Sequence, residues 1–271
     1  MIQKITSREN QKLKFAKKVR DGKVKNKIFA EGVRLAEEVL RSNLKIEEVF
    51  INENFAETKR ERELINEIFA KNINASEVSD SIFQTIADTN QSQGIILIAG
   101  KPTTSKSLIE NSLEQHLTKL LLVIFLHEIN NPSNLGAILR TAEAVDIAGV
   151  IISANSADVF SAKAIRAALG ANLRLPIWEN AEFDEVLTWA KKQNLISTAA
   201  DINAEKSYTE IDWKTPRLLI FGSEAHGLSE KSRAQIDELT FIPMENNVES
   251  LNLAVSCGII LFETKRQTEL K

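Results

Sequence analysis

Leu218, Leu219, Ile220 and Phe221 are four apolar residues in unbroken succession, and they run directly into Gly222, Ser223 and Glu224. An apolar run without alternation suits a strand covered on both faces, as in a parallel sheet with helices on either side. Gly222 lets the backbone turn tightly or approach a ligand closely. Ser223 and Glu224 then fall at the carboxyl end of the strand, the edge at which open α/β sheets bind ligands. Gly227 follows, and Ser229 is placed to cap a helix from about Glu230. The spacing from Gly222 to Ser229 is that of a phosphate-binding P-loop, but Leu228 stands where the lysine must be. A nucleotide triphosphate would lose its main side-chain contact there. The dinucleotide fingerprint G-x-G-x-x-G is absent too. Read alone, a tight strand-to-helix turn with no ligand explains the stretch equally well.

The chain has 271 residues, enough for one large domain or two modest ones, and 43% of them are hydrophobic, enough for ordinary packed cores. No apolar run approaches the roughly 18 residues of a membrane span. The first residues lack the apolar core of a secretory signal. Cys257 is the single cysteine, which excludes an intrachain disulfide and a cysteine-based zinc site. His116, His127 and His226 are scattered without metal-ligand spacing, so no metal is expected. These features point to a soluble cytoplasmic protein. The net charge of −3 argues mildly against a nucleic-acid partner, but the charge is unevenly distributed.

Lys4, Arg8, Lys12, Lys14, Lys17, Lys18, Arg20, Lys23, Lys25 and Lys27 crowd the N-terminal segment. Thr6 and Glu9 have capping-box spacing, which predicts a helix running to about Arg20 with Leu13, Ala16 and Val19 as its apolar stripe. A solvated helix face explains these cations as well as a phosphate footprint does; the latter would be sequence-blind and salt-sensitive. Strands at 28–30, 46–51 and 94–99 alternate with helices at 33–40, 57–70 and 79–87, making an α/β unit of roughly 100 residues. Residues 100–117, with Pro102 and several Ser and Thr, read as a linker. A second α/β unit follows, with strands at 120–126, 150–153, 173–177, 195–198, 218–221 and 240–244. Its helix at 160–169 reads as a solvated face with Lys163 and Arg166. Residues 201–213 form a polar excursion.

Two further stretches in this unit stand out. Residues 131–144 read NPSNLGAILRTAEA. Pro132 keeps the loop out of the helix, Asn134 is placed to cap, and Arg140 falls in the second turn. From this segment alone Arg140 reads more readily as an exposed surface arginine than as a functional one. Residues 242–263 read IPMENNVESLNLAVSCGIILFE. Ser250 is placed to cap a helix whose Leu251, Ala254, Val255, Gly258, Ile259 and Phe262 would face the core. Gly258 costs such a helix up to about 1 kcal/mol against alanine, which close approach of another backbone would explain.

NPSNLGAILRTAEA, LLIFGSEAHGLS and IPMENNVESLNLAVSCGIILFE, in that order and spacing, resemble the three motifs of the SpoU (TrmH-like) RNA ribose 2′-O-methyltransferases of the SPOUT class. KIFAEGVRLAEEVL at 27–40 and QGIILIA at 93–99 resemble that family's substrate-binding domain. The resemblance implies an α/β protein with an L30e-like RNA-binding domain over residues 1–100, a linker over 101–117 and a trefoil-knotted methyltransferase domain over 118–271. It implies S-adenosylmethionine as cofactor, bound at Gly222, Ile242 and Leu251 with Met244 beside them. It implies a homodimer whose partner is RNA, with no role for DNA or a membrane, and a 2′-O-methylated ribose as product. The two-domain layout favours 23S ribosomal RNA. A transfer-RNA methyltransferase and a non-catalytic RNA-binding or assembly protein of this fold are the alternatives. The chain departs from the family pattern at Asn131, where aspartate is usual, at Ala225, where glycine is common, and at Asp146 and Ile147, where phenylalanine and glycine are usual.

Motif matching further implies an active-site set of Asn134, Arg140, Glu224, Ser250 and Asn252. The family proposal makes the arginine a base, yet a guanidinium hardly deprotonates. A substrate phosphate taking the proton while Arg140 clamps it resolves the difficulty. Ser250 and Asn252 would orient the ribose hydroxyls, and Glu224 would hold Asn134 or Arg140.

Overall fold

The computed structural model describes residues 2–115, 121–246 and 248–269. The chain forms two units, Met1–Thr103 with Val159–Arg174, and Thr104–Asp158 with Leu175–Lys271. The first begins with β1 (Ile2–Ile5), α1 (Gln11–Arg20), β2 (Lys27–Glu31), α2 (Val33–Arg41) and β3 (Ile46–Asn52). It continues with α3 (Lys59–Ala70), β4 (Ala75–Val78), α4 (Asp80–Ile86) and β5 (Ile95–Gly100). The sheet order is β1-β4-β3-β5-β2, with β5 antiparallel to both neighbours and the other pairs parallel. Strands β1 and β4 were not expected. Each has four residues and mixed polarity, and they exist through pairing: Ile2–Ile5 aligns with Ala75–Val78, and Lys4 meets Glu77 at 3.0 Å across the pair.

The stripe Leu13, Ala16 and Val19 is buried as expected and packs among Phe29, Phe50, Phe83, Ile96 and Ile98. Each large apolar side chain so buried contributes about 1.5–3 kcal/mol. Asn10, not Thr6, caps α1, its side chain accepting from the Lys12 amide at 2.9 Å. The basic surface is partly neutralised: Lys12 pairs with Glu48 at 2.8 Å, Lys14 with Glu9 at 2.6 Å, and Lys27 with Glu47.

The second unit opens with α5 (Lys106–Gln115), a helix within the stretch read as a linker, which buries Ile109 and Leu113. Residues 116–120, which hold the end of that stretch, His116 and the expected first residue of the next strand, Leu120, lie outside the described residues. Then come β6 (Leu122–Leu126), α6 (Pro132–Ala144) and β7 (Gly149–Ser153). At this point the chain returns to the first unit with α7 (Ala162–Ala168) and a 3₁₀ turn at Ala171–Leu173. Rather than a solvated face, α7 buries Ala162, Ala164, Ile165 and Ala168, and Arg166 pairs with Asp88.

The chain re-enters the second unit at β8 (Ile177–Ala181), then forms α8 (Phe183–Lys192), β9 (Ile196–Ala200), β10 (Lys206–Ser207), β11 (Arg217–Phe221), α9 (Glu230–Arg233), β12 (Glu238–Phe241) and α10 (Leu253–Glu269). All pairs are parallel in the order β10-β12-β9-β11-β6-β7-β8. All five residues of β11 are buried, and so are all five of β6. From β6 the chain winds one way to β7 and β8; β11 and β9 lie on the other side. The crevice outside the carboxyl ends of β6 and β11 is therefore a switch point of the kind that receives ligands.

In α10 the expected phase was wrong. Cys257, Ile260, Leu261 and Thr264 face inward, while Val255 is 51% and Phe262 53% exposed. The helix is apolar on most sides, so its periodicity does not select one face. Gly258 is not pressed by backbone either: a Cβ there would meet only the Thr141 methyl at 3.8 Å.

Candidate active site at the β6/β11 switch point

Beyond Phe221 the chain folds back on itself. The Gly227 amide donates to the Ser223 carbonyl at 2.8 Å, and Gly227 has φ +63°, a left-handed conformation that favours glycine. This brings residues 227–228 over Gly222. A Cβ on Gly222 would lie 2.5 Å from the Gly227 carbonyl carbon and 2.7 Å from the Leu228 nitrogen, so any side chain there forces the loop open. Ala225 takes no positive φ, and the turn accommodates the departure from glycine without strain.

The loop carries Glu224 to the start of α6. Its carboxylate accepts from the backbone amides of Asn130 at 3.1 Å and Asn131 at 3.3 Å, and from Asn134 Nδ2 at 3.1 Å. Partial burial opposes its ionisation, but the hydrogen bonds from Asn130, Asn134 and Asn131 outweigh burial and hold the carboxyl below its ordinary range. Asn131 is the cap of α6, accepting from the Ser133 amide at 2.9 Å, with Pro132 beginning the helix. Asn134, one turn in, is free for other work. Its Oδ1 accepts from Asn252 Nδ2 at 3.1 Å. Asn252, rather than Ser250, caps α10: its Oδ1 accepts from the Ala254 amide at 2.9 Å. One hydrogen-bonded chain, Glu224–Asn134–Asn252, thus ties together the loop after β11, the first turn of α6 and the start of α10.

These residues edge a cleft of about 640 Å³, within the range of small-molecule sites. Asn134, Glu224, Ser250 and Asn252 line it, and so do Gly222, Ile242, Met244 and Leu251. Arg140 does not. It lies on the exposed side of α6, about 9 Å along the axis from Asn134 at 1.5 Å per residue, and it makes no hydrogen bond or ion pair among the described residues. The cleft also contains Asp201, Asn203 and Arg233, which sequence reasoning passed over inside a polar excursion and a short helix. The available signal was position: Asp201 directly follows a strand beside β11, at the sheet's ligand edge.

A parallel sheet with a glycine-floored cleft at its switch point, edged by amides and a fixed carboxylate, defines an α/β protein with a small-molecule site. Residues 121–262 match the model of the SpoU rRNA Methylase family, and residues 29–105 that of the RNA 2′-O ribose methyltransferase substrate-binding domain. The chain belongs to the SpoU family. Membership makes it an RNA methyltransferase that acts on a ribose 2′-OH. It is 31% identical to the 23S rRNA (guanosine-2′-O-)-methyltransferase RlmB of Shewanella oneidensis over 70% of this chain and 76% of the relative. It is 26% identical to the 23S rRNA (guanosine(2553)-2′-O)-methyltransferase RlmP of Bacillus subtilis, over 97% of this chain and all of that one. A further match, 35% identical, spans 53% of either chain. An AdoMet-bound rRNA methyltransferase from Sinorhizobium meliloti has the same fold, with a TM-score of 0.83, 24% identity and 98% of each chain covered.

Proposed function

We propose that this chain methylates a ribose 2′-OH of 23S ribosomal RNA in the cytoplasm, as a homodimer with the trefoil knot of its class. Among the described residues no helix is long and apolar enough to cross a membrane. The observation that carries the reading is the Glu224–Asn134–Asn252 chain at the lip of a cleft whose floor admits only glycine at 222. Gly222, Ile242, Met244 and Leu251 hold S-adenosylmethionine: a bare backbone and apolar side chains suit a flat adenosine. When bound, that molecule supplies a methyl already activated on a sulfonium, so the chain's own residues need only position the hydroxyl and receive its proton.

Glu224, with its oxygens committed to Asn130, Asn131 and Asn134, is a positioning residue rather than a base. It fixes the Asn134 amide, which fixes Asn252. Ser250 and Asn252 then orient the ribose. Arg140 clamps a substrate phosphate, which takes the hydroxyl proton. Because Arg140 lies outside the cleft of its own chain, it serves the cleft of the partner. The exposed Val255 and Phe262 on α10, which packs against α6, supply the apolar surface for that dimer.

Methyl transfer to total RNA, with 2′-O-methyl mapping in cells with and without the protein, tests the substrate. A site lost from 23S RNA is expected; a site lost from transfer RNA, or none, overturns the reading. Mixing Arg140→Ala with Glu224→Gln chains, each strongly impaired alone, should restore about a quarter of the sites to wild-type rate in a randomly exchanged dimer. No restoration means that Arg140 acts within its own chain or not at all.

A further inference from the structure

Asp201 occupies a particular place in the cleft. It directly follows β9, the strand hydrogen-bonded to β11 on the side away from β6. Its side chain is only 9% exposed. Oδ1 accepts from the Asn203 amide at 2.9 Å and Oδ2 from Arg233 Nη1 at 3.2 Å, while its own amide donates to the Thr240 carbonyl at 2.9 Å. A carboxylate has room for about four hydrogen bonds, so one acceptor direction on each oxygen remains beyond these two contacts. Asp201 and Arg233 both line the cleft, on the far side of β11 from the Glu224 network.

On the proposed reading of the cleft, the ligand has a cationic sulfonium, a charged amino-acid end and a neutral ribose with two vicinal hydroxyls. A nearly covered carboxylate already matched by a guanidinium is poorly suited to a further full charge. It is well suited to two neutral O–H donors, one for each oxygen. Its position agrees: a single methylene joins the sulfonium to the ribose, and one strand spacing, roughly 4.8 Å, separates the end of β9 from that of β11. An acidic residue at the end of a strand beside the glycine turn serves the ribose in dinucleotide-binding sheets by the same geometry. We infer that Asp201, held by Arg233 and the Asn203 amide, accepts the 2′- and 3′-hydroxyls of the cofactor's ribose and sets the enzyme's preference for a ribonucleoside cofactor. The inference rests on the cofactor lying in this cleft.

Calorimetric titration of the full-length protein with S-adenosylhomocysteine and with its 2′-deoxy and 3′-deoxy analogues tests it. The wild type should lose roughly ten- to a hundredfold for each missing hydroxyl, the range for a hydrogen bond to a charged group. Asp201→Ala should lose affinity for the parent compound and bind all three alike. Asp201→Asn keeps the shape and one acceptor, and should retain discrimination at one hydroxyl only; it separates lost recognition from a collapsed loop. If both variants discriminate as the wild type does, the inference is overturned, whether or not overall affinity falls; a fall without lost discrimination assigns Asp201 to the amino-acid end. Gly222→Ala is the control. Should it abolish binding while the Asp201 variants behave as wild type, the cleft assignment stands and only this inference fails. Should it and the Asp201 variants all bind as wild type, the cofactor lies elsewhere.

Discussion

Glu224 illustrates how one side chain can organise a site without reacting. Its folded-state pKa is lowered by the amides around it, so its stabilisation is fully present above the ordinary carboxylate value of 4.5 and is lost as pH falls through the lowered one. Glu224→Gln replaces one carboxylate oxygen by an NH₂, which then faces either the Asn130 amide or the Asn131 amide and Asn134 Nδ2 together, donor against donor in both cases. Methyl transfer should fall at least about tenfold, the cost of mispairing hydrogen bonds to one charged group. In thermal melts the wild type's advantage over this variant should be steady from neutral pH down to about pH 5 and shrink below the ordinary carboxylate range; an advantage independent of pH would detach the carboxylate's charge from its role. Eight of the residues that line the cleft could be read from their motif positions. What could not be read was the division of labour: that Asn131 caps, leaving Asn134 for Glu224 and Asn252, depends on the start of a helix, which local residue preferences place only to within a turn. Asp201 escaped because nothing in its neighbours distinguishes a loop aspartate from one at the working edge of a sheet.

Elements were legible where they carry their own pattern. The stripe of α1 and the buried runs of β5, β6 and β11 are examples; β1 and β4, which exist through partners distant in sequence, were not. Helix α10 was located but misoriented, because an apolar surface on most sides leaves the inward face to be chosen by packing against α6. Gly258 is a consequence. With only a methyl at 3.8 Å from its Cβ position, Gly258→Ala should raise stability by up to about 1 kcal/mol, measured by denaturant titration; destabilisation would mean that something outside the single chain presses on the position. Asn252→Ala should cost about 1 kcal/mol through the lost cap and uncouple Asn134. Along the basic segment from α1 to the start of β2, Lys12 and Lys27, tied to Glu48 and Glu47, have less to offer a phosphate than Lys17, Lys18 and Lys25. Neutralising these three should flatten the salt dependence of RNA binding by about 0.7–0.9 per lost phosphate contact. Neutralising Lys12 and Lys27 should change it less, and equal effects would remove this basic segment from the RNA surface.

At the scale of the molecule, Val255 and Phe262 carry the test of assembly. Phe262→Glu should convert a dimer into a species sedimenting at the 30.3 kDa of one chain, whereas an unchanged dimer would put the interface on another face. The chain crosses between its units three times, because Val159–Arg174 belongs with Met1–Thr103. The first unit therefore lacks α7, and the burial of Ala162, Ile165 and Ala168, until residue 174 has been synthesised, by which time β6 and β7 of the second are already available. A nascent chain cannot finish its first unit before starting its second. A chimera that exchanges substrate-recognition modules between relatives must carry two separate segments, or it leaves each module with another protein's helix.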